Sequence, residues 1–189
     1  MLFTLMFTLS ESTVKRPIDD ELILKIGNGD KYAFQTLYES VSDSVYGFVL
    51  SIIKNKYDAE DVLHETFIAV HRKAVDYVPK GKPMAWIFTI AKNAAYDKLN
   101  ERKRIELLDE QRSIGELDFS EITDIEDKLV IETLFKVLND EEKQMVLLHA
   151  VGGVKHREIA TVMNMPLNTE LSKYHRAIKK LKTALEEEK

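Results

Sequence analysis

The chain has 189 residues, of which 44% are hydrophobic and 31% are charged, with a net charge of −5 and no cysteine. This length suits one larger domain or two small ones, and the lack of cysteine excludes disulfides and cysteine-ligated metal sites. Seven glycines, four prolines and little alternation of β-branched residues predict an all-α fold. A cysteine-free chain also fits a reducing cytoplasm.

The first nine residues are apolar but lack a basic leader and a small-residue cleavage site. They are too short to span a bilayer, and no later segment reaches that length. We therefore expect residues 1–17 to form a poorly ordered tail of a soluble, cytoplasmic protein that does not insert into membranes.

A first helical module is predicted over residues 18–104. A short helix starts at Asp20 and ends at the Gly27-Asn28-Gly29-Asp30 turn. Apolar residues at helical spacing continue over 33–52. Asp58 is expected to cap the next helix. The outer side of that helix is acidic overall and carries Asp58, Glu60, Asp61, His64 and Glu65.

The last helix of this module is predicted from Met84 to about Arg104, after a basic loop that contains Lys80 and Lys82. Its buried face is expected to hold Trp86, Ile87, Ile90, Ala91 and Ala94, with Asp97 on that side and paired to Lys98 or Arg104. Another face carries Lys92, Asn93 and Tyr96. Aromatic and amide side chains among cations suit single-stranded or melting DNA, although Trp86 is better explained as a core residue than as an exposed stacking platform.

The charge is distributed unevenly along the chain. Residues 71–104 contain nine Lys/Arg and three acidic residues, and residues 155–182 contain seven Lys/Arg and two acidic residues. Residues 105–128, in contrast, contain nine acidic and two basic residues. We therefore predict two small helical domains joined by an acidic linker over 105–126, with the second domain over 127–189. Because the acids oppose DNA phosphates, such a chain should bind free DNA poorly and should work better when a partner holds it.

The second domain contains a helix-turn-helix pattern. A short helix from Arg157 leads to an Asn164-Met165-Pro166 turn and then to a basic amphipathic helix over 167–185. A solvated basic face on an ordinary bundle is the alternative, but the turn and the small Ala160 favour DNA binding. The candidate DNA contacts are Arg157, Asn168, Thr169, Ser172, Lys173, Arg176 and Lys179.

Glu170 does not fit this pattern, because it projects toward the apolar arc of the second helix. A carboxylate there gains from the positive end of the helix but could weaken packing or DNA affinity. The sequence predicts the position of Glu170 and leaves its effect open.

Several sequence blocks occur in a familiar order. The first module contains AFQTLY at 33–38, DAEDVLHETF at 58–67 and WIFTIAKNAAYD at 86–97. The second contains HREIA at 156–160, MPLNT at 165–169 and SKYHRA at 172–177. With the acidic linker between them, these blocks resemble the extracytoplasmic-function (group IV) branch of the sigma-70 family, the specificity subunits of bacterial RNA polymerase. The resemblance covers residues 20–185.

This resemblance implies a transcription initiation factor without catalytic residues or cofactors, whose partners are core RNA polymerase, promoter DNA and an anti-sigma factor. It implies that Asp58, Glu60, Asp61, His64 and Glu65 dock on the β′ clamp helices. It implies that the −10 strand is held by Lys80, Lys82, Trp86, Lys92, Asn93 and Tyr96. The helix-turn-helix would read the −35 element, and Leu134, Leu138 and Met145 would face its core or the β flap.

Two positions depart from the family pattern, which usually has Gln in place of His64 and a β-branched residue in place of Glu170. The runner-up interpretation is a stand-alone regulator with a LuxR-like output domain, although the first module shows no receiver or ligand-pocket pattern. A helical metalloenzyme is a third class. It is disfavoured because the five histidines are scattered, without His-Glu-x-x-His spacing.

Overall fold

The computed structural model describes residues 18–106 and 136–187, and both ranges are helical without any strand. The predicted all-α class is confirmed. The predicted tail, most of the predicted linker and Leu134 lie outside the described residues. The elements are α1 (Asp20–Gly27), α2 (Lys31–Ile53), α3 (Lys56–Lys73), a 3-10 turn (Ala74–Asp76), α4 (Pro83–Glu106), α5 (Asp140–Val146), a π turn (Leu147–Val151), α6 (His156–Val162) and α7 (Leu167–Glu187).

Side-chain caps fix where the helices start. Asp19 accepts the Leu22 N–H before α1, and Asp30 accepts two N–H groups at the start of α2. The prediction that Asp58 caps α3 is wrong, because the Asn55 side chain caps it and accepts the Asp58 N–H at 3.0 Å. The helix therefore starts earlier and places Asp58 inside its first turn. There the positive end of the helix dipole still stabilises a carboxylate.

The N-terminal domain is a bundle of α2, α3 and α4, with α1 lying across α2 and the 3-10 turn. Its core is continuous and contains Leu37, Val45, Phe48, Ile87 and Phe88, all without measurable exposure. The rings of Phe48 and Phe88 meet edge to face with their centroids 5.3 Å apart, a favourable aromatic geometry. This bundle fixes which sides of α3 and α4 face outward.

The C-terminal domain packs α5 and α6 against α7. Leu138, Val146 and Leu147 are buried against Ala177 and Leu181 of α7. A reciprocal capping box between Asn139 and Glu142 starts α5. Burial raises the pKa of the Glu142 carboxyl, but the Lys180 ammonium and the Asn139 N–H outweigh burial and leave the pKa lowered.

The two domains share an interface, in which α2 packs against α5 and the π turn, and α4 packs against α6. Gly152 lies at a close contact between the domains, since a Cβ there would lie 2.8 Å from the Phe88 ring. Met145 of α5 and Leu148 of the π turn join the core of the N-terminal domain, whereas Val146 and Leu147 join that of the C-terminal domain, so this segment is buried on two sides. None of the helices described is long and apolar enough to cross a membrane.

Candidate docking and nucleic-acid surfaces

A stripe of exposed residues runs along the outer side of α3. Asp61, His64 and Glu65 are exposed, as the sequence predicts. Two large apolar side chains flank them at helical spacing, Tyr57 at 77% and Ile68 at 66% exposure. We call these five residues the α3 stripe. Single exposed apolar residues are common on protein surfaces, so it is their alignment with three exposed polar residues on one side of α3 that makes the stripe a candidate protein-binding surface.

Asp58 and Glu60 differ from the α3 stripe. Asp58 is partly buried, with 27% of its side chain exposed, and accepts a 3.3 Å hydrogen bond from Arg102 of α4, so it ties α3 to α4. Glu60 is half-buried. Asp61 lies 4.0 Å from Lys98, and with 67% of its side chain exposed this contact is weak. The structure therefore separates Asp61, which is available to a partner, from Asp58, which holds the bundle.

Asp20 at the start of α1 anchors the basic loop before α4. Its carboxylate accepts the Tyr77 hydroxyl and the Gly81 N–H, the latter at 2.6 Å. Gly81 has a φ of 66°, a conformation that favours glycine. Burial and the hydrogen bond to Asp20 raise the pKa of Tyr77. The loop thus presents Lys80 and Lys82 to solvent from a fixed base.

Trp86 is half-buried, with its ring centroid 4.8 Å from that of Tyr77. It packs against the core, so the expectation that it is not an exposed stacking platform agrees with its position. Asn93 and Tyr96 are exposed on α4. The Lys92 ammonium lies 6.0 Å from the Tyr96 ring centroid but donates to the Val162 carbonyl of α6 at 2.6 Å.

A cleft of about 630 Å³ separates the outer sides of α3 and α4. Asp97 is exposed at its wall, so the prediction that Asp97 lies on the inner face is wrong. Lys98, one of its expected partners, contacts Asp61 instead. The cleft carries charges of both signs and is lined by Glu65, Arg72, Lys73, Asn93, Asp97 and Arg104.

The helix-turn-helix is present as the sequence predicts. Asn164 adopts a left-handed φ of 54°, which asparagine tolerates better than most residues. The Met165 N–H returns to the Ala160 carbonyl at 2.9 Å, and Pro166 precedes the first residue of α7. The exposed candidates on this unit are Arg157, Asn168, Thr169, Ser172, Arg176 and Lys179.

Lys173 is the exception among the candidate DNA contacts, because it is partly buried and bound to Glu141 of α5. Lys180 is similarly bound to Glu142 at 2.7 Å. These pairs join α7 to α5. A cation that already pairs with a carboxylate has less to offer a phosphate, so Arg176 and Lys179 are better placed for the DNA backbone.

Glu170 lies at the centre of a buried polar cluster. It is 0% exposed, and its Oε1 is 2.9 Å from Nδ1 of His156 at the start of α6. Its Oε2 has no hydrogen-bond partner among the described residues. His156 stacks on His149 with centroids 4.1 Å apart, and Tyr174 meets both rings edge-on. Burial and the Glu170 charge raise the pKa of Tyr174 to about 12.

The prediction that Glu170 faces inward is confirmed, and its partner His156 is the feature that sequence reasoning missed. The neighbouring His149 is also engaged, since its Nδ1 lies 2.9 Å from the Val154 carbonyl. Across the described residues, no three His, Asp or Glu side chains form a group suited to a metal ion.

Tyr57, Ile68 and Asp20 were also missed. The exposure of Tyr57 and Ile68 could have been read from the helical period, because both fall on the acidic side of α3. The role of Asp20 had no local signal, since its partner Gly81 is 61 residues away.

Two family models match this chain. Sigma-70 region 2 matches residues 37–105, and Sigma-70 region 4 matches residues 128–181. The chain is 27% identical to the ECF RNA polymerase sigma factor SigK of Mycobacterium ulcerans, covering 87% of this chain and 92% of that protein. It is 23% identical to the RNA polymerase sigma-H factor of Pseudomonas aeruginosa, covering 89% and 94%.

Two solved structures share the fold. RpoE from Bartonella quintana, in complex with the anti-sigma factor NepR, has a TM-score of 0.68 and 19% identity, with 81% of this chain and 96% of that chain covered. CnrH in complex with the cytosolic domain of CnrY has a TM-score of 0.63 and 23% identity, with 90% and 99% covered. At these identities the likeness establishes the arrangement of helices.

Proposed function

The chain belongs to the extracytoplasmic-function branch of the sigma-70 family, and we propose how its surfaces divide the work of an alternative sigma factor. Such a factor binds core RNA polymerase and directs promoter-specific initiation at −10 and −35 elements. The proposal rests on one observation: a single chain contains the α3 stripe, a surface formed by the basic loop and the exposed side of α4, and a helix-turn-helix. A LuxR-like regulator is not favoured, because the N-terminal half matches a sigma-70 region.

Polymerase docking is assigned to the α3 stripe. Its acids would meet basic side chains on the β′ clamp helices, while Tyr57 and Ile68 would bury apolar area at the same contact. Asp58 and Glu60 would contact the polymerase at the edge of this surface. In this assignment Asp58 contributes mainly by holding α3 against α4 through Arg102.

The −10 strand is assigned to the basic loop and the exposed side of α4. Lys80 and Lys82 would neutralise phosphates, while Asn93 and Tyr96 would contact unpaired bases through hydrogen bonds and stacking. Trp86 would support the loop by packing on Tyr77, and because it is half-buried only part of its ring could contact a base.

The −35 element is assigned to the start of α7. Asn168, Thr169 and Ser172 are small polar residues that fit base edges in the major groove, whereas Arg157, Arg176 and Lys179 would bind the backbone. Lys173 would contribute less to backbone binding, because it is paired with Glu141. No residue of the chain is assigned to catalysis, since polymerase supplies it.

We place the protein in the cytoplasm with the polymerase, restrained by an anti-sigma factor. The shared fold with a sigma factor that binds NepR supports such a partner. The acidic linker would lie in a nucleic-acid path of the polymerase, where carboxylates stand in for phosphates.

The proposed function is tested by reconstitution with bacterial core RNA polymerase. We expect a stable complex that melts and transcribes a distinct set of promoters, which mapping of unpaired thymines would reveal. Salt-sensitive binding of duplex DNA by the chain alone, without polymerase binding, would replace this function with that of a stand-alone regulator.

Within the reconstituted complex, Arg176→Ala should weaken promoter binding across sequences and lower the slope of log affinity against log salt by about 1, because one phosphate contact is lost. Lys173→Ala should change that slope less, since Lys173 is paired with Glu141. The measurement is a salt titration of complex formation on one promoter and on variants of its −35 element. Altered discrimination at a single base, with the slope unchanged, would show that Arg176 reads bases.

A further inference from the structure

The basic loop before α4 has few contacts of its own that could hold its shape. Two apolar side chains in this stretch face solvent, Val75 at 72% and Val78 at 63% exposure. Residues 78–80 form no hydrogen bond with any other described residue. Backbone that is neither buried nor hydrogen-bonded opens easily, so a fixed conformation of this loop requires a contact from another element.

Asp20 of α1 provides that contact. Its two carboxylate oxygens bind separate groups, since Oδ1 accepts the Tyr77 hydroxyl and Oδ2 accepts the Gly81 N–H at 2.6 Å. The two hydrogen bonds hold the loop near both of its ends. Asp19 caps α1, so the start of the helix does not require the Asp20 side chain.

The elements on both sides of this contact are closely packed. Gly27 at the end of α1 lies against the 3-10 turn, where a Cβ would be 2.4 Å from the Ala74 carbonyl oxygen. Glycine allows this close approach because it has no Cβ. On the other side, the Tyr77 ring contacts Trp86 of α4, with the two centroids 4.8 Å apart. Asp20 therefore connects α1, the basic loop and, through Tyr77, the start of α4.

A carboxylate beside Lys80 and Lys82 does not help the loop to attract phosphates. Its negative charge opposes them within the screening length. The two hydrogen bonds that it accepts instead order the loop before DNA binds, which lowers the conformational entropy lost on binding. An ordered loop also meets bases in one geometry and rejects those that do not fit, whereas a mobile loop can adjust to them.

We propose that Asp20 is a positioning residue for promoter recognition, which fixes the basic loop so that it discriminates among −10 sequences. Asp20 does not contact DNA in this assignment and acts through Tyr77 and Gly81. The inference rests on the proposed function, in which the basic loop meets the unpaired −10 strand.

The first test follows the basic loop in the free, full-length chain. Hydrogen exchange of the Gly81 amide, measured by NMR, reports its hydrogen bond to Asp20. Acrylamide quenching of Trp86, the only tryptophan of the chain, reports the packing of Tyr77 on its ring. We expect Asp20→Ala to accelerate the exchange and to increase the quenching.

Two control variants separate the hydrogen bonds of Asp20 from its charge. Glu21→Ala removes a negative charge from the next residue of α1, whose exposed side chain pairs with Lys25, and it should change neither the exchange nor the quenching. Asp20→Asn removes the charge but keeps an acceptor oxygen and adds a donor, so both readouts should stay close to those of the wild type.

The second test measures discrimination by the complex with core RNA polymerase. One promoter identified by the mapping of unpaired thymines is prepared as a pool with a randomised −10 element, each sequence linked to a transcribed barcode. We expect Asp20→Ala to lower the preference for the best sequence over the pool average by about tenfold, and Asp20→Asn and Glu21→Ala to retain it. A loss of folded protein alone would lower transcription from every sequence by the same factor and would leave the preferences unchanged.

Tyr77→Phe provides a second variant, because it keeps the ring on Trp86 and removes one of the two hydrogen bonds to Asp20. We expect smaller changes of the same kind, faster Gly81 exchange and a lower −10 preference. Combining it with Asp20→Ala should add nothing further, since the acceptor is already gone. If Asp20→Ala does not fold, Tyr77→Phe alone decides.

Two results would overturn the proposal: unchanged Gly81 exchange in the folded variants, or faster exchange with unchanged −10 preferences. Failure of the proposed function looks different. In that case the wild-type chain would form no complex with core polymerase and would give no transcripts, while Gly81 exchange and Trp86 quenching would still show whether Asp20 fixes the loop.

Discussion

We expect charge reversal of Asp61 to Lys to lower the affinity of the chain for core RNA polymerase by about 10- to 100-fold, equal to about 1.4–2.8 kcal/mol. Asp61 lies at the middle of the α3 stripe and has only a weak contact, 4.0 Å from Lys98. A lysine there would face the basic partner surface with like charge. The fold should persist, because the side chain is 67% exposed and the bundle core does not include it.

The measurement is a titration of labelled chain with core polymerase, for Asp61→Lys beside the matched reversal Asp43→Lys on α2. Asp43 is exposed but lies outside the α3 stripe, so its reversal should leave affinity within about twofold of the wild type. Ile68→Ala should also weaken binding, because it removes apolar area without changing charge. Equal affinities for Asp61→Lys and Asp43→Lys would remove the docking assignment.

The helices themselves could be predicted from the sequence because their signals are local. Caps, turns and apolar residues at helical spacing located α1 to α4, α6 and α7 but not α5, and the Asn164-Met165-Pro166 turn separated α6 from α7 as expected. The start of α3 was misassigned because Asn55 and Asp58 are both competent caps three residues apart. Choosing between them depends on how α2 ends, at Lys54 with a left-handed φ of 58°, which no local pattern specifies.

The exposed sides of α3 and α7 were predictable for the same reason, but the partners of the polar groups were not. Lys92 and Val162 are 70 residues apart, and Asp20 and Gly81 are 61 apart. Such contacts depend on how the helices pack. Helical periodicity predicts the direction of Glu170, yet it does not predict that His156, on a different helix, meets it.

The interface between domains was beyond sequence reasoning for a related reason. Met145 of α5 and Leu148 of the π turn look like ordinary core positions of the C-terminal domain, and the structure places them in the core of the N-terminal domain. The sequence of a short helix with two apolar sides indicates that both sides are buried. It does not indicate which other elements cover them.

The largest effect on stability is expected from His156→Ala. This change leaves Glu170, which is 0% exposed, without its hydrogen-bond partner. A buried carboxyl with neither oxygen satisfied costs about 3 kcal/mol, whether the lost contact is a hydrogen bond or an ion pair. Thermal unfolding of the full chain, with hydrogen exchange of α6 and α7 amides to locate the effect, measures the loss.

Glu170→Val provides the complementary change. It removes the carboxyl, whose Oε2 has no partner among the described residues, and leaves an apolar side chain at a position that is 0% exposed. His156 keeps access to water because 26% of its side chain is exposed, so we expect the C-terminal domain to become more stable. Combining Glu170→Val with His156→Ala should recover most of the loss caused by His156→Ala alone, since the buried group that had lost its partner is gone.

Glu170→Gln serves as the control, because it keeps an acceptor oxygen for His156 while removing the possibility of charge. If Glu170→Gln is about as stable as the wild type, Glu170 acts through one hydrogen bond. If Glu170→Gln loses about as much stability as His156→Ala, Glu170 acts through an ion pair. An unchanged melting temperature for His156→Ala would contradict the whole account of the cluster. Since His156 and Glu170 stand at the starts of α6 and α7, each destabilising variant should also weaken −35 binding, because the pair sets how the second helix leaves the first.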